Sequence, residues 1–196
     1  MTSSETRKMS DALKSQAIVL GGAVALMWLV YFATVVSGGA LLSLGIIPRS
    51  LIGLRGILFA PFLHGSFPHL LANSIPFAMM GWFVMLRDGR HFIPVTAAAM
   101  LGSGLMAWLL GAPGSVHVGA SGVIFGYLGF LMFSGWYARS VASIMLSVLV
   151  TVMWGGLVFG VLPGQVGISW QAHLGGFVGG ALAARSYRVT ARRVAV

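Results

Sequence analysis

The 196-residue sequence contains no cysteine, so neither a disulfide nor a thiolate metal site can hold its fold together. Charge is nearly as scarce. Asp, Glu, Lys and Arg make up 8% of the chain, where a soluble domain carries roughly a quarter. The acids number three: Glu5, Asp11 and Asp88. What remains is 58% hydrophobic, with a mean hydropathy of +0.93, which is the composition of a polytopic membrane protein. The net charge of +9 therefore reflects missing acids. Nucleic acid is not the partner it implies, because the basic residues stand between apolar segments and in the tails.

Six apolar stretches have spanning length: roughly Gln16 to Val36, Pro68 to Leu86, Ile93 to Leu110, Gly119 to Trp136, Val141 to Val161 and Trp170 to Tyr187. The expectation is an all-α membrane protein of one domain, residues 16–187, with tails at 1–15 and 188–196. Five spans follow the first, so it reads as a retained helix and not as a signal peptide. With six spans, Arg7, Lys8, Lys14, Arg87, Arg90, Arg139, Arg185, Arg188, Arg192 and Arg193 fall on one side, and Arg49 and Arg55 on the other. The positive-inside bias then predicts cytoplasmic termini in a bilayer that fits a bacterial plasma membrane. The connection from Ser37 to Phe67 lies on the outer side. It is apolar but broken by glycine and proline, which predicts short helices dipping into the interface and not a span. Gly111 to Ser115 and Leu162 to Gln165 read as tight outer turns. Trp108, Trp136 and Trp170, at span ends, read as interface anchors.

Polar side chains are costly in this setting, so those that occur invite a functional reading. Ser121 stands in Gly119-Ala120-Ser121-Gly122, His173 in Ala172-His173-Leu174-Gly175-Gly176, and His69 and Asn73 share a helix face at an i, i+4 spacing. Spans two, four and six all run inward, so all four residues fall near one depth beneath the outer surface. Gly119, Gly122 and Gly126 on one helix, and Ala172, Gly176, Gly180 and Ala184 on the other, let the two backbones approach closely. A serine needs a base to become a nucleophile, and histidine can be that base and then the acid for the leaving group. The Ser121 N–H, the Asn73 amide and the His69 ring are candidate donors to an oxyanion. With every acid on the inner side, the site would be a Ser–His dyad whose imidazole is oriented by packing or by a neutral hydrogen bond. The same lack of acids excludes a two-carboxylate protease and a His-Glu-x-x-His zinc site.

These strings resemble those of the rhomboid family of intramembrane serine proteases: the Gly-x-Ser-Gly at Ser121, the His-x-x-x-Asn from His69 to Asn73, and the His-x-x-Gly-x-x-x-Gly from His173 to Gly180. The resemblance covers the chain from about Arg55 to the end of the sixth span. It implies a six-helix bundle with a membrane-embedded first outer loop, Ser121 as nucleophile, His173 as general base, and His69 and Asn73 as oxyanion stabilisers. It implies no cofactor or metal, and substrates that are transmembrane proteins met within the lipid bilayer. His64 matches a position that often carries a structural histidine. Phe125 stands where family members often have a tyrosine against the catalytic histidine, and Leu54-Arg55 stands in place of a Trp-Arg signature.

The remaining polar residues have plainer readings. Ser103, Ser134, Ser143 and Ser147 are expected to bond back to helices or to pack as small residues. His91 and His117, in loops, are expected to be solvated. A zinc site from His64, His69 and His173 lacks helix spacing and a second shell. Two other functions compete with hydrolysis. A catalytically inactive rhomboid-like binder of transmembrane helices would not need Ser121 and His173. A transporter would show intramembrane charges or paired broken helices, and neither is visible.

Overall fold

A computed structural model describes residues 3–165 and 167–194. Six long helices form the bundle: α1 (Ser3–Val36), α3 (Phe67–Asp88), α4 (Phe92–Leu110), α5 (Ser121–Ala138), α6 (Val141–Trp154) and α7 (Trp170–Val194). A single-turn helix, α2 (Gly56–Phe59), lies in the long connection between α1 and α3. The six long helices coincide with the six apolar stretches, and the differences lie at their ends. α1 begins at Ser3 and α7 continues to Val194, so most of both expected tails is helical. Met1, Thr2, Ala195 and Val196 lie outside the described residues, as do the side chains of Lys8, Asp88, Arg188, Arg192 and Arg193.

Among the described residues, α1, α3, α4, α5 and the segment Val141–Val161, which is α6 with the tighter turns after it, are long and apolar enough to cross a membrane. The exception is α7, which carries Gln171, His173 and four glycines in its first half. It packs chiefly against α5 and α4, so much of its surface meets protein and needs no lipophilic side chains. Its Val178 and Leu182 face outward with the apolar residues that the other helices expose. The small-residue stripe works by steric necessity. A methyl group on Gly176 would overlap the Gly122 carbonyl, and one on Gly180 would overlap that of Gly126. Interhelical contact without side chains is the packing mode of membrane helices, where lipid supplies no hydrophobic drive to associate.

α5 is the centre of the bundle. Tyr127, Leu128, Phe130 and Leu131 are fully buried, and the Tyr127 hydroxyl pairs with Thr96 of α4 at 2.9 Å. α1 docks on α3 through Trp28 Nε1, which donates to Ser74 Oγ at 3.1 Å, and through Trp82 Nε1, which donates to Gln16 Oε1 at 3.1 Å. α6 leans on α5. Ser147 Oγ donates to the Leu131 carbonyl and accepts from the Gly135 N–H and from Arg87 Nη2 of α3. Ser147 is thus a node among three helices and does more than pack as a small residue.

The connection between α1 and α3 consists of short helical turns at Ala40–Leu44, Leu51–Arg55, α2 and Ala60–Phe62, none long enough to span. Arg55 Nη2 donates to the Ser43 carbonyl at 3.1 Å and joins two of these turns to each other, while Arg49 Nη1 donates to the Leu109 carbonyl of α4 at 3.1 Å and ties the connection to the bundle. Trp108, at a span end, also has a structural bond. Its Nε1 donates to the Ser50 carbonyl at 2.8 Å and fastens this connection to α4. α3, α5 and α7 begin at the end of the bundle that this connection covers. Arg87, Arg139 and Arg185 therefore belong to the opposite end.

Candidate active site

Three helix starts build the site. α3 opens at Ser66, whose hydroxyl accepts from the His69 N–H at 3.3 Å, and Pro68 occupies the first turn, where its missing N–H costs nothing. α5 opens at Ser121, two residues after Gly119, whose φ of +114° suits glycine. Gly119 is also a steric requirement, because a methyl group there would lie 2.6 Å from His69 Nε2. α7 opens at Trp170 and presents His173 one turn later.

His173 Nε2 lies 2.8 Å from Ser121 Oγ. The other ring nitrogen, Nδ1, lies 3.0 Å from the Gly160 carbonyl. A carbonyl only accepts, so Nδ1 carries the proton and Nε2 is left bare to face the serine. The Phe125 ring stacks on the imidazole with centroids 4.1 Å apart and planes 13° apart. Orientation by packing and by a neutral hydrogen bond, the two options open to a histidine with no acid partner, are both present. The phenyl ring does the stacking without a hydroxyl.

His69, Asn73, Ser121, Phe125, Leu157 and His173 line one cavity of about 530 Å³. Asn73 Nδ2 donates to the His69 carbonyl at 2.7 Å, one turn back on α3. That bond uses one of its two N–H groups. Asn73 Oδ1 is buried with no partner. His64 is fully buried, with its ring edge-on to His69 at 5.0 Å. Burial, with His69 beside it, lowers the His64 pKa from 6.5 to about 4. Among the described residues no three His, Asp or Glu side chains are grouped to hold a metal ion.

Two loop histidines depart from the solvated reading. His91 is 7% exposed and stacks on Phe130. His117 is held at both ring nitrogens, by Ser115 Oγ at 3.0 Å and Ser169 Oγ at 2.7 Å, and its backbone pairs with Ile46 in an isolated antiparallel bridge. Both segments pack back onto the bundle, which withdraws the rings from water. Burial lowers the pKa of His117. Sequence reasoning also did not find Gly160. Its contribution is a main-chain carbonyl, which no residue type signals. The one trace of it is the absent side chain, since a methyl group there would come within 2.8 Å of Phe125.

The Rhomboid domain family matches residues 53–188. The chain belongs to the rhomboid family. It is 41% identical over 169 residues to an uncharacterized protein of Mycobacterium tuberculosis, a match covering 82% of this chain and 70% of that protein. A Mycobacterium leprae protein, likewise uncharacterized, is 41% identical over 139 residues, covering 67% of this chain and 55% of its own length. A Toxoplasma gondii protein named Rhomboid-like protease 5 is 35% identical over 134 residues, covering 64% of this chain and 15% of that protein. This rhomboid-family chain is thus an integral, multi-pass membrane protein with a helical bundle.

Proposed function

We propose that this rhomboid is an intramembrane serine endopeptidase that cleaves transmembrane proteins with Ser121 as nucleophile and His173 as general base. The contact of 2.8 Å between Ser121 Oγ and the unprotonated His173 Nε2, inside a cavity, carries this reading. Family membership and the name of the Toxoplasma relative support it.

In the proposed reaction His173 Nε2 takes the Ser121 proton as Oγ attacks the scissile carbonyl carbon. Negative charge then builds on the carbonyl oxygen. Helix α5 begins at Ser121, so the Ser121 N–H has no acceptor within its own helix and can donate to that oxygen. The second Asn73 N–H and the His69 ring, on the same cavity wall, are the further donors. His173 passes its proton to the leaving amine, leaving an ester on Ser121. Water, deprotonated by the same nitrogen, then hydrolyses that ester and restores the serine.

The cavity is lined by Ala72 and Pro76 of α3 and by Leu157 of the segment after α6. A transmembrane substrate would enter laterally, with its top unwound, because a helical peptide carbonyl is already engaged in the backbone ladder. Substrates with helix-breaking residues near the outer interface, and small residues at the cleaved position, should be preferred. The termini are taken as cytoplasmic and the site as outward-facing in a bacterial plasma membrane. Purified wild type should cleave a labile transmembrane reporter, and Ser121→Ala and His173→Ala should not. Equal turnover by all three proteins would remove the dyad.

A further inference from the structure

We propose that His117 is a positioning residue for the Ser121–His173 pair, acting as a second cross-link between the segments that deliver the two reacting groups. The inference rests on the dyad reading above. His117 and Ser169 stand 52 residues apart, as do Ser121 and His173, and each lies four residues before its counterpart. The two contacts are successive rungs between the same two stretches of chain. The first joins the approach to α5 to the approach to α7, and the second joins the helices themselves.

The protons in this first rung can be assigned. The Ser115 hydroxyl donates to the Ala112 carbonyl at 2.6 Å, so its oxygen can only accept from His117 Nε2–H, 3.0 Å away. His117 Nδ1 is then a bare acceptor, and the Ser169 hydroxyl donates to it at 2.7 Å. The Ser169 oxygen in turn accepts from the Ala172 N–H at 3.3 Å, and the Ser169 carbonyl accepts from the His173 N–H at 3.0 Å. One directed chain of hydrogen bonds therefore runs from the first turn of α7 through His117 to the loop at Ala112. The His117 main chain is fixed independently by its two bonds with Ile46, and Gly119 by its N–H to the Ala60 carbonyl. The imidazole thus transmits the position of a clamped loop to the helix start that carries His173. Gly111 makes room for it, since a methyl group there would lie 2.5 Å from Nε2.

A positioning role separates two variants of similar size. His117→Asn puts a carbonyl acceptor near the place of Nδ1 and can keep the Ser169 bond. His117→Gln reaches the place of Nε2 and leaves Ser169 without its acceptor. The test is the acylation rate of the detergent-solubilised full chain by a fluorophosphonate probe, with melting temperature measured alongside. His117→Asn should label within about threefold of wild type. His117→Gln and Ser169→Ala should each label about tenfold more slowly, a cost below the ~10²-fold expected for an ångström-scale misplacement. Ser169→Thr, which keeps the hydroxyl, should restore the rate. The double variant His117→Gln/Ser169→Ala should be no slower than either single one, because both remove the same link. Ser169→Ala and Ser169→Thr carry the test if the His117 variants do not fold. Wild-type rates in His117→Gln and Ser169→Ala, equal losses in His117→Asn and His117→Gln, or additive losses in the double variant would overturn the proposal and leave the dyad standing. Wild type that labels no more than Ser121→Ala would remove the dyad itself.

Discussion

Phe125 lies flat on His173, with ring centroids 4.1 Å apart and 13° between the planes, while the Gly160 carbonyl holds the imidazole at its Nδ1 edge. Face and edge are thus fixed by different parts of the chain, one on α5 and one on the segment after α6. Stacked aromatic pairs contribute about 0.5–1.5 kcal/mol beyond their buried area. Phe125→Leu keeps the apolar bulk and loses the flat face, so turnover should fall about two- to tenfold, with little change in KM. Steady-state kinetics on a transmembrane reporter would check this. A KM effect with unchanged kcat would assign Phe125 to substrate binding.

Gly160 should tolerate no side chain. A methyl group there would meet Phe125 at 2.8 Å and His173 Nδ1 at 3.3 Å, so both rings would have to move. Misplacement of a reacting group by about an ångström can cost about 10²-fold. Gly160→Ala is expected to lose about ten- to a hundredfold in acylation by a fluorophosphonate while its melting temperature stays close to that of wild type. Retained acylation would mean that the carbonyl contact does not orient the base.

Asn73 spends one N–H on the His69 carbonyl at 2.7 Å and has a second to offer the cavity. Loss of one oxyanion donor costs about 10²–10³ in rate. Asn73→Ala should lower kcat by that order in a folded protein, as judged by size-exclusion profile and melting temperature. Asn73→Asp should be no better, because a carboxylate has no N–H and would face the His69 carbonyl. An unchanged kcat in Asn73→Ala would reduce Asn73 to a packing residue.

His64 predicts a pH dependence of stability. Its pKa is about 4 in the folded chain and near 6.5 when unfolded. Between those values the unfolded chain holds the extra proton, so acidification favours unfolding. The stabilisation is complete above about pH 6.5 and is lost as pH falls toward 4. Thermal unfolding in detergent should show a melting temperature that drops through this window. His64→Leu, with no titrating group, should give a shallower slope. Identical slopes would show that His64 is not the group that titrates.

The membrane makes much of this site legible in the sequence. A serine, two histidines and an asparagine near the starts of three of the spanning-length stretches stand out because lipid makes such groups expensive. Glycines beside Ser121 and His173 announce the close approach, which the overlaps at Gly176 and Gly180 bear out. The hidden parts are those that use main chain or long-range folding. The helix read as running to Val161 leaves α geometry after Trp154, at Gly155-Gly156, and the tighter turns that follow present the Gly160 carbonyl. His117 escapes a local reading because a loop histidine is ordinarily wet. The pairing of its backbone with Ile46 and the bond of its ring to Ser169, both distant in the chain, draw it inward.

The dyad is probed most sharply by locating a covalent adduct. Full-length protein in detergent would be treated with a fluorophosphonate, digested, and the modified residue read by tandem mass spectrometry, for wild type and His173→Ala. Modification is expected at Ser121 in the wild type and should vanish when His173 is removed. Modification at another serine, or equal modification of Ser121 without His173, would contradict the pairing of these two residues as nucleophile and base.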